Sequence, residues 1–195
     1  MIYNVNREES LKVASSKILN GEVIIYPTDT IYGFGVDATN NAAVNKLNKI
    51  KKRKQVYSIM VSSIDMLDKY CEYNSTQGER IKKYLPGPYT IILSKKNSNL
   101  SELVTLNLNT VGVRLINNKF CNQLINMVNR PIVTTSVNVH GKTSLNISKD
   151  INMHFPNIDI FQTNTINQFS KGSTILDFSK KSETLIRQGD GEIII

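Results

Sequence analysis

Gly21-Glu22-Val23-Ile24-Ile25-Tyr26-Pro27-Thr28-Asp29-Thr30-Ile31-Tyr32-Gly33-Phe34-Gly35 is the stretch from which the rest of the chain is read. Val23 to Tyr26 is a short apolar, β-rich run of the kind a buried strand uses. Pro27 has no N–H to give to a ladder, so the strand is expected to stop there. Hydroxyls, a carboxylate, a phenol and two glycines follow at the point where the strand delivers its end. Ligands collect at such ends in open α/β sheets. A turn capped by its own Thr and Asp side chains is the plainer reading, and both stay open at this point.

A second stretch has the same arrangement. Ile132 to Thr135 reads as a strand and empties into Ser136-Val137-Asn138-Val139-His140-Gly141-Lys142-Thr143-Ser144. Two polar strand ends of this type suggest one shared site. The segment 136–149 is then a candidate lid.

Between and around them the helices announce themselves by caps and periodicity. Residues 8–20 place Leu11, Ala14, Ser15, Ile18 and Leu19 on one face, with Gly21 as the stop. Asn40 or Asn41 can cap a helix carrying Ala43, Leu47 and Ile50. Ser63 opens a short helix to Tyr70, residues 75–84 form another, and Asn118 opens one with Cys121, Leu124, Ile125 and Val128 on one face. A weaker helix is expected near 148–155. Further strands are expected at 57–62, 89–93, 111–115, 158–162, 173–178 and 183–187, with a short last one at 193–195. Helices and strands alternate irregularly, so the class is mixed α/β or α+β. No linker, repeat or low-complexity tract divides the 195 residues, which suit one domain over 1–195.

A hydrophobic fraction of 40% is enough for a core, and the formal net charge of +8 suggests an anionic partner such as a nucleotide or nucleic acid. General Lys enrichment accounts for part of that charge. Lys49-Ile50-Lys51-Lys52-Arg53-Lys54 goes further, with five cations in six residues. Cations favour a helix C-terminus, but this density repels itself unless an anion visits. Cys71 and Cys121 are too few for a disulfide framework, and with only His140 and His154 beside them a structural zinc site is unsupported. No apolar run reaches membrane-spanning length and the N-terminus has no apolar leader region, so a soluble cytoplasmic protein is expected.

The chemistry is bounded by what is missing. There is no G-x-S-x-G elbow, no Walker A sequence and no G-x-G-x-x-G after a strand. What remains is a set of groups that hold an anion: Lys51, Arg53, Arg114 and Arg187, with hydroxyls at Thr28, Thr30, Thr134, Thr135, Ser136 and Ser144. Such a set stabilises charge developing on phosphate without a protein nucleophile.

In these residues the chain resembles the YrdC family of threonylcarbamoyl-AMP synthases, in its short single-domain bacterial form. The likeness runs from about Gly21 to Gly189. It rests on Tyr26-Pro-Thr-Asp-Thr-Ile-Tyr-Gly33, Lys51-Lys52-Arg53 as a K-x-R pair, Pro86-Gly87-Pro88-Tyr89-Thr90, Gly112-Val113-Arg114, Ser136-Val137-Asn138 as S-x-N, Ser173-Thr174-Ile175-Leu176-Asp177 and Arg187-Gln188-Gly189. Each is a weak signal alone; in this order together they are specific.

The resemblance implies a twisted, mostly parallel and mixed open sheet flanked by helices, with a concave basic surface. It implies a reaction in which L-threonine, bicarbonate and ATP give threonylcarbamoyl-adenylate and pyrophosphate. The product would feed synthesis of N6-threonylcarbamoyladenosine through downstream tRNA threonylcarbamoyl-transfer proteins, and a weak tRNA or RNA affinity fits the charge. By the same resemblance, Thr30, Arg114, Thr134 and Ser173 hold threonine, and Lys51, Arg53, Ser136, Asn138, Ser144 and Arg187 surround the nucleotide. Lys51, Arg53, Ser136 and Asn138 act on the reacting phosphate. Mg²⁺ is expected on the ATP phosphates, with no dedicated protein cage for a metal.

Some positions depart from the family pattern. Lys54 stands where a proline is usual, Tyr57-Ser58 where Lys-Pro is usual, Thr143 where a proline often follows the glycine, and Phe34 in place of Leu. The rival readings are an RNA-binding module of the same fold without turnover, the related carbamoyltransferase domain of hydrogenase-maturation proteins, and a catalytically silent paralogue.

Overall fold

The computed structural model describes residues 1–139, 141–180 and 182–194; the expectations for His140 and Ile195 fall outside them, and Ile193 and Ile194 of the expected last strand are not in a strand. The strands are β1 (Ile2–Asn4), β2 (Ile24–Pro27), β3 (Tyr32–Gly35), β4 (Ser58–Met60), β5 (Cys71–Glu72), β6 (Tyr89–Lys95), β7 (Thr110–Arg114), β8 (Ile132–Ser136), β9 (Asp159–Gln162), β10 (Thr174–Asp177) and β11 (Thr184–Arg187). The helices are α1 (Glu8–Leu19), α2 (Asn41–Lys51), α3 (Ile64–Tyr70), α4 (Ser75–Tyr84), α5 (Glu102–Thr105), α6 (Lys119–Val128) and α7 (Ser148–His154).

Local chemistry fixes most helix starts. Asn40, Ser63 and Asn118 each accept a hydrogen bond from the backbone N–H three residues on, at Ala43, Met66 and Cys121. Asn74 forms a reciprocal capping box with Gln77. These bonds satisfy donors that a helix start otherwise leaves without partners. Helix α6 buries Phe120, Cys121, Leu124, Ile125 and Val128 on one side and packs against α1. On α1 the expected face holds for Ala14, Ser15 and Ile18, whereas Leu19 is exposed at its end.

The strands join in the order β1-β9-β2-β3-β8-β4-β7-β6-β10-β11, with β5 also on β6. The sheet is mixed. β9 lies parallel to β1 and β2, β4 to β7, and β6 to β10. Antiparallel pairings outnumber parallel ones among the described residues, contrary to the mostly parallel sheet the resemblance implied. The reason is local. The opening stretch does not stop at Pro27: a short turn folds Tyr32–Gly35 back on Ile24–Pro27 as a hairpin, with Pro27 opposite Tyr32 in the last pair. Pro27 ends the strand without breaking it, because β9 pairs only with Ile24 and Ile25.

The core runs along the sheet's middle. Ile24, Ile25, Phe34, Ile59, Val113 and Val133 from the strands meet Ala14, Leu47, Leu124 and Ile125 from the helices, all inaccessible to solvent. No helix among the described residues is long and apolar enough to cross a membrane.

Candidate active site

The β2–β3 turn is built from its own hydroxyls. Thr28 Oγ1 donates to the Ile31 carbonyl at 2.7 Å and accepts from the Thr30 backbone N–H at 3.1 Å. The Thr28 and Thr30 hydroxyls also lie 3.1 Å apart. The plain reading of this stretch as a side-chain-capped turn holds for Thr28, whereas the Asp29 carboxylate goes to Arg114. It does not displace the other one, because Thr28, Thr30 and Ile31 line a cavity of about 240 Å³. Ser58, Thr90, Arg114, Thr134, Thr135, Ser136, Ser173 and Arg187 line the rest of its polar wall. The two polar strand ends do meet: Gly33 of β3 is paired with Ser136 of β8. The cavity nevertheless reaches well beyond them, across β4, β7, β6, β10 and β11.

Of the residues expected around threonine, Thr30, Arg114, Thr134 and Ser173 all line this cavity and all are buried. Ser173 Oγ lies 2.8 Å from Thr90 Oγ1, a hydroxyl that the sequence reading placed in a turn motif and the start of a strand but not in the site. Arg187 folds its guanidinium onto the same place, donating from Nη2 to the Ser173 carbonyl at 2.6 Å and to its hydroxyl at 3.3 Å. Arg114 donates from Nη2 to Asp29 Oδ1 at 2.6 Å and to Thr30 Oγ1 at 3.2 Å. Asp29 was not singled out by the sequence reading. It stands 85 positions away from its partner, so only the fold reveals the pair.

The residues expected around the nucleotide are distributed differently. Lys51 ends α2, is buried, and donates from Nζ to the Ser136 carbonyl at 2.8 Å and to Asn138 Oδ1 at 2.6 Å. The same Asn138 oxygen accepts from Ser136 Oγ at 2.8 Å, and Asn138 Nδ2 donates to the Lys142 carbonyl at 2.7 Å. K-x-R and S-x-N are thus one hydrogen-bonded unit at Lys51, Ser136 and Asn138. Of its members, Ser136 lines the cavity. Arg53 is exposed and outside the lining, but its charge reaches Lys51 and Tyr57. Ser144 is exposed and also outside the cavity wall.

Burial sets the electrostatics. It lowers the Lys51 ammonium from 10.5 to about 8, with Arg53 pushing the same way. It raises the Asp29 carboxyl, against the pull of Arg114. It pushes the Tyr57 phenol up to about 12. Burial likewise lowers the Arg187 guanidinium from its ordinary value, and Arg114 adds like-charge repulsion. The two thiols are inert by the same cause: burial raises Cys71 to about 12 and raises Cys121 too, and the Cys121 Sγ–H points at the Pro27 carbonyl at 3.1 Å.

Two motif glycines have a steric reason. A Cβ at Gly189 would lie 2.2 Å from the Gly172 carbonyl oxygen and 2.6 Å from that of Ser173. A Cβ at Gly112 would lie 2.7 Å from Ser58 Oγ and press on Thr90 at 3.2 Å. Both glycines let backbone approach the polar wall closely.

Among the described residues no group of three or more His, Cys, Asp or Glu side chains could hold a metal. Asp29, the carboxylate behind the wall, is occupied by Arg114 and does not line the cavity. A larger cavity, of about 490 Å³, lies beside the starts of α1 and α6, lined by Arg7, Glu8, Asn118 and Lys119 among others. It shares no residue with the motifs singled out except Pro27.

Comparison with known proteins places the chain among relatives. Residues 16–189 match the family Sua5_yciO_yrdC, described as telomere recombination. A Methanocaldococcus jannaschii protein provisionally named threonylcarbamoyl-AMP synthase is 34% identical over 194 residues, covering 96% of this chain and 91% of its own. The Vibrio vulnificus threonylcarbamoyl-AMP synthase is 27% identical, over 92% of this chain and 98% of its own. Among solved structures, Pyrococcus abyssi Sua5 complexed with L-threonine superposes with a TM-score of 0.89 at 28% identity. It covers 97% of this chain, which spans 57% of that longer one. Escherichia coli YciO, at 21% identity, shares the fold with a TM-score of 0.86. With a match across residues 16–189, the chain belongs to the Sua5/YciO/YrdC family.

Proposed function

We propose that this protein is a threonylcarbamoyl-AMP synthase, a nucleotidyltransferase that joins L-threonine, bicarbonate and ATP. The observation that carries the reading is the convergence of Thr30, Arg114, Thr134 and Ser173 on one cavity whose adjoining wall holds the Lys51–Ser136–Asn138 unit. At about 240 Å³ the cavity is smaller than the roughly 300–1,000 Å³ typical of drug-sized ligands. It suits an amino acid, with the nucleotide lying over its mouth toward Lys51 and Arg53. Relatives bearing the synthase name, and a Sua5 structure that holds L-threonine, support the same assignment.

The chemistry asks little covalent work of the protein. Threonine's amine and bicarbonate condense to a carbamate with loss of water. A carbamate oxygen attacks the α-phosphorus of ATP, the bond to the bridging oxygen breaks, and pyrophosphate leaves with that electron pair. The nucleophile is the substrate's own, so the side chains align reactants and hold charge. In this reading Arg114 takes the amino-acid carboxylate, Thr30, Thr134 and Ser173 bind its polar groups, and Lys51, Arg53 and Arg187 face phosphate oxygens. Ser136 and Asn138 keep Lys51 aimed, and Ser144 reaches the nucleotide from the loop beyond. Mg²⁺ would travel with ATP, held mainly by the triphosphate and water, since the wall offers it no carboxylate cage.

The unstable adenylate would pass to a threonylcarbamoyl-transfer protein acting on tRNA. An RNA-binding module without turnover has no comparable use for a hydroxyl-lined cavity of this kind. Supplying labelled bicarbonate with ATP and threonine tests the proposal: the label should enter an adenylate only when threonine is present. Label incorporation that ignores threonine would refute it.

A further inference from the structure

The cavity wall carries two guanidiniums, Arg114 and Arg187; the charge of Arg114 reaches Arg187, and no carboxylate is among the described residues that line it. Two neighbouring guanidiniums form a ready site for a divalent anion such as phosphate. The established motifs leave unexplained how such a wall would prefer a substrate with a single carboxylate. Behind it stands Asp29. Its side chain is 9% exposed, and one oxygen is bound to Arg114 while Oδ2 has no partner among the described residues. Thr30, tied to Thr28, holds the same Arg114 nitrogen from the other side. The neighbouring Asp190 accepts from the Ser170 hydroxyl and from the Lys171 N–H at 2.7 Å; its charge also reaches Arg187, but Asp190 does not line the cavity.

We infer that Asp29 is a positioning and specificity-determining residue. It clamps one terminal nitrogen of Arg114 and offsets that guanidinium's positive charge at the cavity wall. The site then matches a monocarboxylate amino acid better than a divalent oxyanion. Discrimination of this kind comes from a charge placed against the wrong ligand as much as from contacts to the right one. Burial opposes an ionised Asp29, and Arg114 is the partner that makes it tolerable. The inference rests on the proposed function for the identity of the amino acid, not for the clamp itself.

The test compares Asp29→Asn with the wild type by calorimetry, using L-threonine and inorganic phosphate as the two probes. The ratio of threonine to phosphate affinity should fall at least about tenfold, less than truncating one member of a buried charge pair commonly costs. A ratio within about twofold of wild type overturns the inference, since twofold is only about 0.4 kcal/mol, less than a charge contact is worth. Should Asp29→Asn not fold, the wild type decides alone. In ¹⁵N-arginine NMR of the ligand-free protein, Arg114 should show restricted rotation of its terminal nitrogens; free rotation sinks the clamp. Wild-type protein that binds no threonine, yet shows a restricted Arg114, would refute the functional reading and keep the clamp.

Discussion

The Lys51 ammonium lies 2.6 Å from the Asn138 side-chain oxygen, across 87 positions of sequence. That oxygen also accepts from the Ser136 hydroxyl, so one amide holds two groups in register. Asn138→Ala removes both acceptor bonds and the tie to Lys142. We expect kcat/KM for ATP to fall at least about tenfold, the scale of a misplaced charge contact to a transition state. KM for threonine should stay nearly constant, because no threonine-side residue touches Asn138 among the described bonds. Initial rates at varied ATP and varied threonine check this.

Lys51 gives the site a pH dependence whose sign is fixed. Burial brings its ammonium down to about 8, so the charge is present below that pH and lost above it. The profile of kcat/KM for ATP, which reports the free enzyme, should fall as pH rises through about 8. Arg53→Gln removes the neighbouring charge that lowers Lys51 and should move the inflection upward. Stability runs the other way. The unfolded chain binds more protons at this lysine between about 8 and 10.5, so this group's contribution to stability rises with pH across that window. Thermal unfolding against pH in wild type and Lys51→Met measures it.

Gly189 is where backbone and site meet. An added Cβ would press on the carbonyls of Gly172 and Ser173, and Ser173 carries Arg187. Gly189→Ala should cost about 1–3 kcal/mol, the range of overpacking in a close-packed region. At this chain length that lowers Tm by several degrees, at about 2–4 °C per kcal/mol. Threonine affinity should fall with it, because Ser173 and Arg187 must shift. Differential scanning calorimetry with a threonine titration reads both.

Arg53 offers the opposite signature. It is exposed, so its loss should leave Tm almost unchanged. Its charge is nonetheless felt at Lys51 and Tyr57, beside the mouth of the cavity. Arg53→Ala should lower turnover by at least about tenfold, as expected for a lost charge contact to a developing phosphate charge. Unaltered kinetics would remove Arg53 from the site.

How much of this was legible in the sequence follows from distance along the chain. Asn40, Ser63 and Asn118 were readable because a cap bonds three residues ahead. Tyr32–Gly35 was not read as a strand, because Pro27 signals a stop and nothing local says that the chain folds back to pair. Ile2–Asn4 and Cys71–Glu72 are too short to show a period, and they exist because β9 and β6 offer them edges. The motifs did assemble Thr30, Arg114, Thr134 and Ser173. The clamp on Arg114 was missed because Asp29 lies within a turn whose hydroxyls explain it locally. Thr90 was missed because Pro86-Gly87-Pro88 reads as a turn rather than as the entry to a cavity wall.

The most direct measurement of the central claim is pyrophosphate release from ATP in bicarbonate buffer, with and without L-threonine. Release that requires both threonine and bicarbonate, and that is lost in Thr30→Ala or Arg114→Ala, is the predicted result. ATP consumption indifferent to threonine, or no consumption by a folded protein under any combination of the three substrates, would contradict it.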